Sequence, residues 1–237
     1  MKELLTFLFL LLEWILKVQI TQIFQYKNRA AKKLKLSLLQ ELFSSAAKTI
    51  ALMSQLFFTS DHHFGHENII KFCNRPFDTV REMNEVLIQR WNEKVRKRDT
   101  VYHLGDFGLT YKENLATILE QLNGKIHLIV GNHEGAALQN RKRFEWIKEY
   151  HELKVKDPDR HNGVQRIILF HYAMRTWRGA GRGNWHLYGH SHGNLPDLAD
   201  QLCFDVGVDC HDFYPLSYDE VKAIMQKKNW ESPFKKR

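Results

Sequence analysis

The sequence predicts an α/β domain, with strands alternating with helices in its first half and an antiparallel or mixed sheet in its second. Three observations carry this reading. Apolar runs of strand length recur from Gln55 onward, amphipathic stretches that open on capping residues fill several of the gaps, and clusters of Asp, His and Asn follow the ends of the runs. The first run covers residues 55–60 and ends on Asp61. Thr79-Val80-Arg81-Glu82 then has the form of a capping box ahead of an amphipathic helix reaching Val95. Residues 100–104 make a second strand, residues 111–122 a helix stopped near Gly124, and residues 125–130 a third strand. Three more strands at 164–170, 184–188 and 201–206 are joined by loops rich in Gly and Arg, which is why the second half reads as antiparallel or mixed. Ser217-Tyr218-Asp219-Glu220 repeats the capping-box form before a last helix. The chain has no internal repeat and no low-complexity linker.

A chain of 237 residues can bury a sizeable core, as one large or two small domains. Hydrophobic residues at 43% and charged residues at 26% sit near the averages of soluble proteins, which argues against wholesale disorder and a polytopic membrane protein. Cys73, Cys203 and Cys210 are odd in number and lack C-x-x-C spacing, so neither a disulfide framework nor a cysteine zinc site is expected, and a reducing, cytoplasmic compartment fits best. The net charge of +8 would by itself suggest an anionic partner. Residues 1–53 carry +5 of it and the other 184 residues only +3, so nucleic acid is a possible partner that the charge of the body does not indicate.

The chain divides into a basic, partly apolar leader, residues 1–52, and a functional domain, residues 53–237. Residues 4–12 are almost purely apolar, but Glu13 and Lys17 interrupt the run before the roughly 18 uncharged residues of a membrane span. Lys2 is offset by Glu3, and the small residues at 44–47 lie beyond the usual cleavage distance of a signal peptide. Residues 1–35 could form a helix lying on a membrane surface. The stronger reading starts the natural protein at Met53, where MSQLFFTSD leads at once into the first strand, and gives residues 1–52 no functional part.

Five polar clusters follow strand ends, where ligand sites of open α/β sheets form: Asp61-His62-His63, Gly105-Asp106, Gly131-Asn132-His133-Glu134, His171 and Gly189-His190-Ser191-His192. Each has an ordinary alternative. Gly-Asp is a common turn pair, and a lone strand-end histidine such as His171 is more often buried and hydrogen-bonded than metal-bound. Gly-His-x-His is sharper, since 13 Gly and 13 His would produce it by chance only about 0.04 times. Five clusters, each after its own strand, point to one shared metal site. Carboxylate, imidazole and amide oxygen without thiolate suit manganese, iron or zinc better than copper or an iron–sulfur cluster.

Asp61-x-His63, Gly105-Asp106, Gly131-Asn132-His133-Glu134, His171 and Gly189-His190-x-His192 together resemble the successive signatures of the calcineurin-like metallophosphoesterase superfamily, over residues 55–212. FFTSDHHFGHENIIKFCNRPF and RGNWHLYGHSHG further resemble its small single-domain bacterial and phage members. The resemblance implies a four-layer α/β/β/α sandwich of two mixed β-sheets. It also implies two divalent metal ions, manganese first, with iron, zinc, nickel or cobalt as alternatives. One ion would be held by Asp61, His63, Asp106 and His192, the other by Asp106, Asn132, His171 and His190, with Asp106 bridging. The implied activity is hydrolysis of phosphomonoesters or small phosphodiesters by in-line attack of a metal-bridging hydroxide. His133 would stabilise or protonate the leaving oxygen, and Glu134 would orient it.

Other polar residues leave more than one reading. Arg175, Arg178 and Arg182 lie in RTWRGAGRG, which either brings a guanidinium to a substrate phosphate or forms a solvated loop. Arg75, with His66 and Asn68, could line the cleft rim and bind substrate. Asp205 and Asp209 could hold ligand imidazoles in the right tautomer. His62 is expected to face solvent rather than substrate, and Trp177 and Trp185 to pack rather than stack on a base. A small phosphoester is the expected partner. The alternatives are a nuclease acting on DNA or RNA, and a metal-binding interaction module without turnover, against which the presence of His133 and all seven ligands counts.

Overall fold

The computed structural model describes residues 54–234, together with Glu41; the expected leader helix and its membrane surface lie outside the described residues. The chain divides after Met53 into two units, of which Ser54–Arg237 is the second. No helix among the described residues is long and apolar enough to cross a membrane.

The body contains two mixed sheets. In the first, β1 (Leu56–Thr59), β2 (Thr100–His103), β3 (Lys125–Ile129) and β4 (Trp146–Lys148) run parallel, and β9 (Leu216–Ser217) pairs antiparallel with β1, giving the order β4-β3-β2-β1-β9. In the second, β5 (Tyr150–Lys156) is antiparallel to β6 (Val164–Phe170), and β7 (Trp185–Tyr188) and β8 (Cys203–Asp205) continue in parallel. All six expected strands are present. The helices are α1 (Glu67–Phe72), α2 (Val80–Lys94), α3 (Lys112–Gln121), α4 (Gly135–Gln139) and α5 (Tyr218–Gln226).

Period-2 alternation sorts the side chains of the first sheet between two cores. Phe57, Val101 and Leu128 face α1–α4, where Ile69, Met83, Leu87, Trp91, Leu115 and Ala137 complete an outer core. Phe58, Tyr102 and Ile129 face the second sheet and meet Leu153, Ile167, Leu169, Leu187 and Phe204, with Val221 and Met225 of α5 in the same core. Each fully buried large side chain contributes about 1.5–3 kcal/mol. His186, between Trp185 and Leu187, points to the opposite face of the second sheet, where Trp177 packs on it at 5.4 Å between ring centroids and the Met174 amide donates to its Nε2.

The helix starts follow the capping signals. Ser217 and Glu220 form a complete capping box at α5. At α2 the Thr79 hydroxyl accepts from the Glu82 amide, but the Glu82 carboxylate reaches the Asp78 amide instead of closing the box.

Three of the fully buried histidines, His62, His103 and His186, are not among the expected ligands, and burial lowers the pKa of each, that of His186 to about 4. An unfolded histidine titrates near 6.5, so their contribution to stability is complete above that pH and is lost as pH falls toward the folded values. Urea midpoints measured in chelator should therefore drop between pH 7 and pH 4, with His186 alone accounting for up to about 3 kcal/mol. His186→Gln should flatten that dependence; an unchanged slope would contradict the assignment.

Candidate metal centre

The polar clusters meet at the C-terminal ends of β1, β2, β3, β6 and β7. Backbone pairing continues past β1 and β2: the amides of Asp61, His63 and Phe64 donate to the carbonyls of Gly105, Asp106 and Phe107 at 3.0–3.1 Å. Two glycines make the close approach possible. A Cβ on Gly131 would stand 2.3 Å from Asp106 Oδ1, and one on Gly189 would stand 2.0 Å from Ser60 Oγ and 2.4 Å from Asp61 Oδ2. Eight non-glycine residues among those described have positive φ, and five of them are Asp61, His63, Asp106, His190 and His192. Such backbone costs about 1–3 kcal/mol per residue, and its concentration on the expected ligands marks a functional constraint rather than a requirement of the sheets.

Of the three groups of donor atoms that result, two consist of the expected ligands alone. Asp61, His63 and His192 offer ligand atoms within 4.8 Å of one another, and so do Asp106, His171 and His190. Asp106 stands between them. Its Oδ2 lies 3.4 Å from His63 Nε2 and its Oδ1 lies 3.6 Å from His171 Nε2. Asn132 Oδ1 is 3.1 Å from His171 Nε2. Donors that share one ion at about 2.0–2.2 Å stand roughly 3 to 3.6 Å apart, so these separations fit a cation within each group.

Hydrogen bonds fix which imidazole nitrogens face the centre. His171 Nδ1 donates to the Leu104 carbonyl at 2.7 Å and His192 Nδ1 donates to Asp209 Oδ2 at 2.7 Å, so each turns Nε2 inward. Both ring nitrogens of His63 are buried with no hydrogen-bond partner, a cost that a cation on one of them would offset. Burial pushes the Asp61 carboxyl well above its usual range and the His63 imidazole down to about 2, leaving a neutral ring. Burial also lowers His192, but its hydrogen bonds with Asp209 and Cys73 and the charge of Asp61 outweigh it and raise the pKa to about 10. Positive charge is favoured at this point of the fold.

The surrounding residues revise several expectations. Asp209 holds a ligand imidazole as expected. Arg75 does not line the rim: it is buried, gives Nε and Nη2 to the two Asp209 oxygens at 2.7 and 2.8 Å, and donates to the carbonyls of Asp61 and His62. With its guanidinium so engaged, it positions the first loop and Asp209 instead of meeting substrate. Asp205 holds no ligand imidazole, because its carboxylate accepts from the Ser191 hydroxyl and the Gly193 and Gly207 amides, bracing the loop that carries His190 and His192. Glu134 does not orient His133; its Oε1 accepts from the Phe107 and Gly131 amides and ties the Asp106 and Asn132 loops together. His62 is buried rather than solvated, its Nδ1 2.9 Å from His103 Nε2 and its ring against Phe64 and Trp91. Arg175 is exposed and joins neither donor group, and Arg178 pairs with Glu152 of β5.

His133 is placed for a role beside the centre. Its amide donates to Asp106 Oδ1 at 2.9 Å, and its half-buried ring lies 5.6 Å from that of His63 and 6.3 Å from that of His66. Three neighbours were not anticipated as site residues. His103 supports His62 from below, Cys73 lies within reach of His192 and Asp209, and the exposed Tyr172 ring stands 4.7 Å from His190. Only Tyr172 carried a signal, as the neighbour of His171.

No family model matches the chain. The uncharacterized protein MJ1445 of Methanocaldococcus jannaschii is 34% identical over 182 residues, covering 74% of this chain and 93% of that protein. The gene 66 proteins of Mycobacterium phages L5 and D29 are 28% and 26% identical, covering 59% and 73% of this chain and 78% and 96% of their own lengths. Among solved structures, the protein of unknown function AQ665 from Aquifex aeolicus superposes with a TM-score of 0.57 at 26% identity, covering 73% of this chain and 100% of that one.

Proposed function

This chain belongs to the same family as the uncharacterized protein MJ1445, and from the chemistry of its own centre we propose that it is a dinuclear-metal-dependent phosphoesterase of the calcineurin-like metallophosphoesterase type, with that superfamily's sandwich fold. Its substrates are phosphomonoesters or small phosphodiesters. One observation carries this reading: Asp106 turns one carboxylate oxygen toward each of two separate donor groups.

Divalent cations bound there, manganese foremost, would supply an activated water and a clamp for the phosphoryl oxygens. Asp61, His63 and His192 would hold one of them and Asn132, His171 and His190 the other. Asp106 would contribute to both, and its negative charge would offset part of their mutual repulsion. No serine or cysteine nucleophile is needed. His133 carries a proton to the leaving oxygen, and Arg75 and Asp209 keep His192 aimed at the centre.

The test is turnover of mono-, di- and cyclic phosphoesters by chelator-stripped protein before and after resupply with manganese. Activity should appear only with the metal. Two bound manganese ions and no turnover of any ester would sink the proposal. Asp209→Asn should weaken manganese affinity about 10- to 100-fold, the usual cost of removing a partner that orients a ligand imidazole, and should also lower Tm, because the buried Arg75 guanidinium loses its carboxylate. Titration calorimetry reads the difference, and an affinity equal to that of the parent chain would remove Asp209 from this role.

A further inference from the structure

The second sheet carries a concentration of positive charge that the metal centre does not use. A cavity of about 680 Å³ opens there, lined by Arg160, Arg166, Arg178 and Arg182, by the aromatic residues Trp177 and Phe234, and by no carboxylate. It is separate from the centre. Arg166 lies within β6 and His171 just past its end, five residues on and roughly 16 Å away at strand rise.

The arginines are poorly compensated. Arg166 stands directly across from Lys154 in the β5–β6 ladder, on the face opposite Leu153 and Ile167, which enter the inner core. Like charges at directly opposed positions of antiparallel strands destabilise the pair, so this placement calls for an anion. Glu152 answers in part: it pairs with Arg178, whose side chain is 76% exposed so that the pair is weak, and its charge also reaches Arg166, leaving one carboxylate set against these two arginines and Lys154. Arg160 gives Nη2 to the carbonyls of Arg182 and Gly183, and the Arg182 side chain makes no ion pair among the described residues. Since the whole body carries only +3, this corner is a local excess rather than a general basic surface.

We propose that the cavity is a binding site for an organic phosphate of nucleotide size, held by the arginines at its phosphates and by Trp177 and Phe234 at its planar base. The volume falls in the range of about 300–1,000 Å³ typical of small-molecule pockets. Guanidinium forks match phosphate oxygens in pairs. Trp177 is fixed by its Nε1 donating to the Asn184 carbonyl at 2.9 Å, and Phe234 is 59% exposed beside Gly181, where an added Cβ would come within 3.0 Å of its ring. Both aromatic groups thus offer apolar surface next to the charge.

The experiment is calorimetric titration of the full chain with ADP and with inorganic phosphate in excess chelator, which keeps the metal centre out of the measurement. ADP should bind, at least about tenfold tighter than phosphate, and the double variant Arg166→Gln/Arg182→Gln should weaken ADP at least about tenfold. Asp106→Asn should leave ADP affinity unchanged. Relief of the Lys154–Arg166 repulsion predicts that Arg166→Gln also raises Tm at low salt without ADP. If the double variant does not fold, the exposed Arg178→Gln supplies the same comparison. No ADP binding in chelator, equal affinity in the arginine variants, or loss in Asp106→Asn would overturn the site. Equal affinity for inorganic phosphate would overturn the base contact, and affinity that climbs with oligoadenylate length would replace the small ligand with a nucleic-acid strand.

Discussion

Asp106→Asn is expected to bind fewer than two metals per chain and to lose activity by about 10³-fold or more, the size of several kcal/mol of lost charge stabilisation. The reason is geometric. Asp106 alone faces both donor groups, whereas Asp61, His63, His171, His190 and His192 each belong to one. The amide keeps the shape of the carboxylate and can still accept the His133 amide through Oδ1, so the loop has reason to hold while the negative charge disappears. Elemental analysis and steady-state rates decide the matter together. Two tightly bound ions with near-normal turnover would remove Asp106 from the bridging position.

His133→Ala should behave differently. The side chain lies beside the donor groups without belonging to either, so both metals should stay and thermal stability should change little. The rate on an ester with a poor alkoxide leaving group should fall about 10²- to 10⁴-fold, the usual scale of general acid catalysis. An aryl ester whose phenolate departs without a proton should lose much less. A leaving-group series measured in parent and variant therefore separates proton donation from ligation: losses that are equal across the series, or loss of a metal, would return His133 to the ligand set or to transition-state electrostatics.

The ligands were legible because each sits within a few residues of a strand end, and strand and cluster are both local features of the sequence. Residues that position them were less so. Arg75 meets Asp209 across 134 residues of chain, and nothing near either residue announces the other. His62 illustrates a second limit. Its neighbours Asp61 and His63 both adopt left-handed backbone, which turns the intervening imidazole onto Phe64 and Trp91, and side-chain periodicity presupposes regular backbone. Among the strands, β5 escaped notice because only Leu153 and Val155 of YHELKVK enter the core while Tyr150, Glu152, Lys154 and Lys156 do not. The strand β9, two residues long, has no periodicity to read.

The donor groups draw on both sheets at once: Asp61, His63 and Asp106 follow β1 and β2, whereas His171, His190 and His192 follow β6 and β7. Each group therefore spans the gap between the sheets and works as a calliper set to its width. That width is fixed by the inner core, by the bulk of Phe58, Leu169, Leu187 and Phe204, none of which carries a donor atom for a metal. Trimming one of these side chains lets the sheets approach or shear, and separations of 3.4 and 3.6 Å between donors leave little room for that. Metal affinity thus becomes a gauge of packing in the middle of the sandwich, and apolar substitutions remote from every ligand acquire a phenotype at the centre.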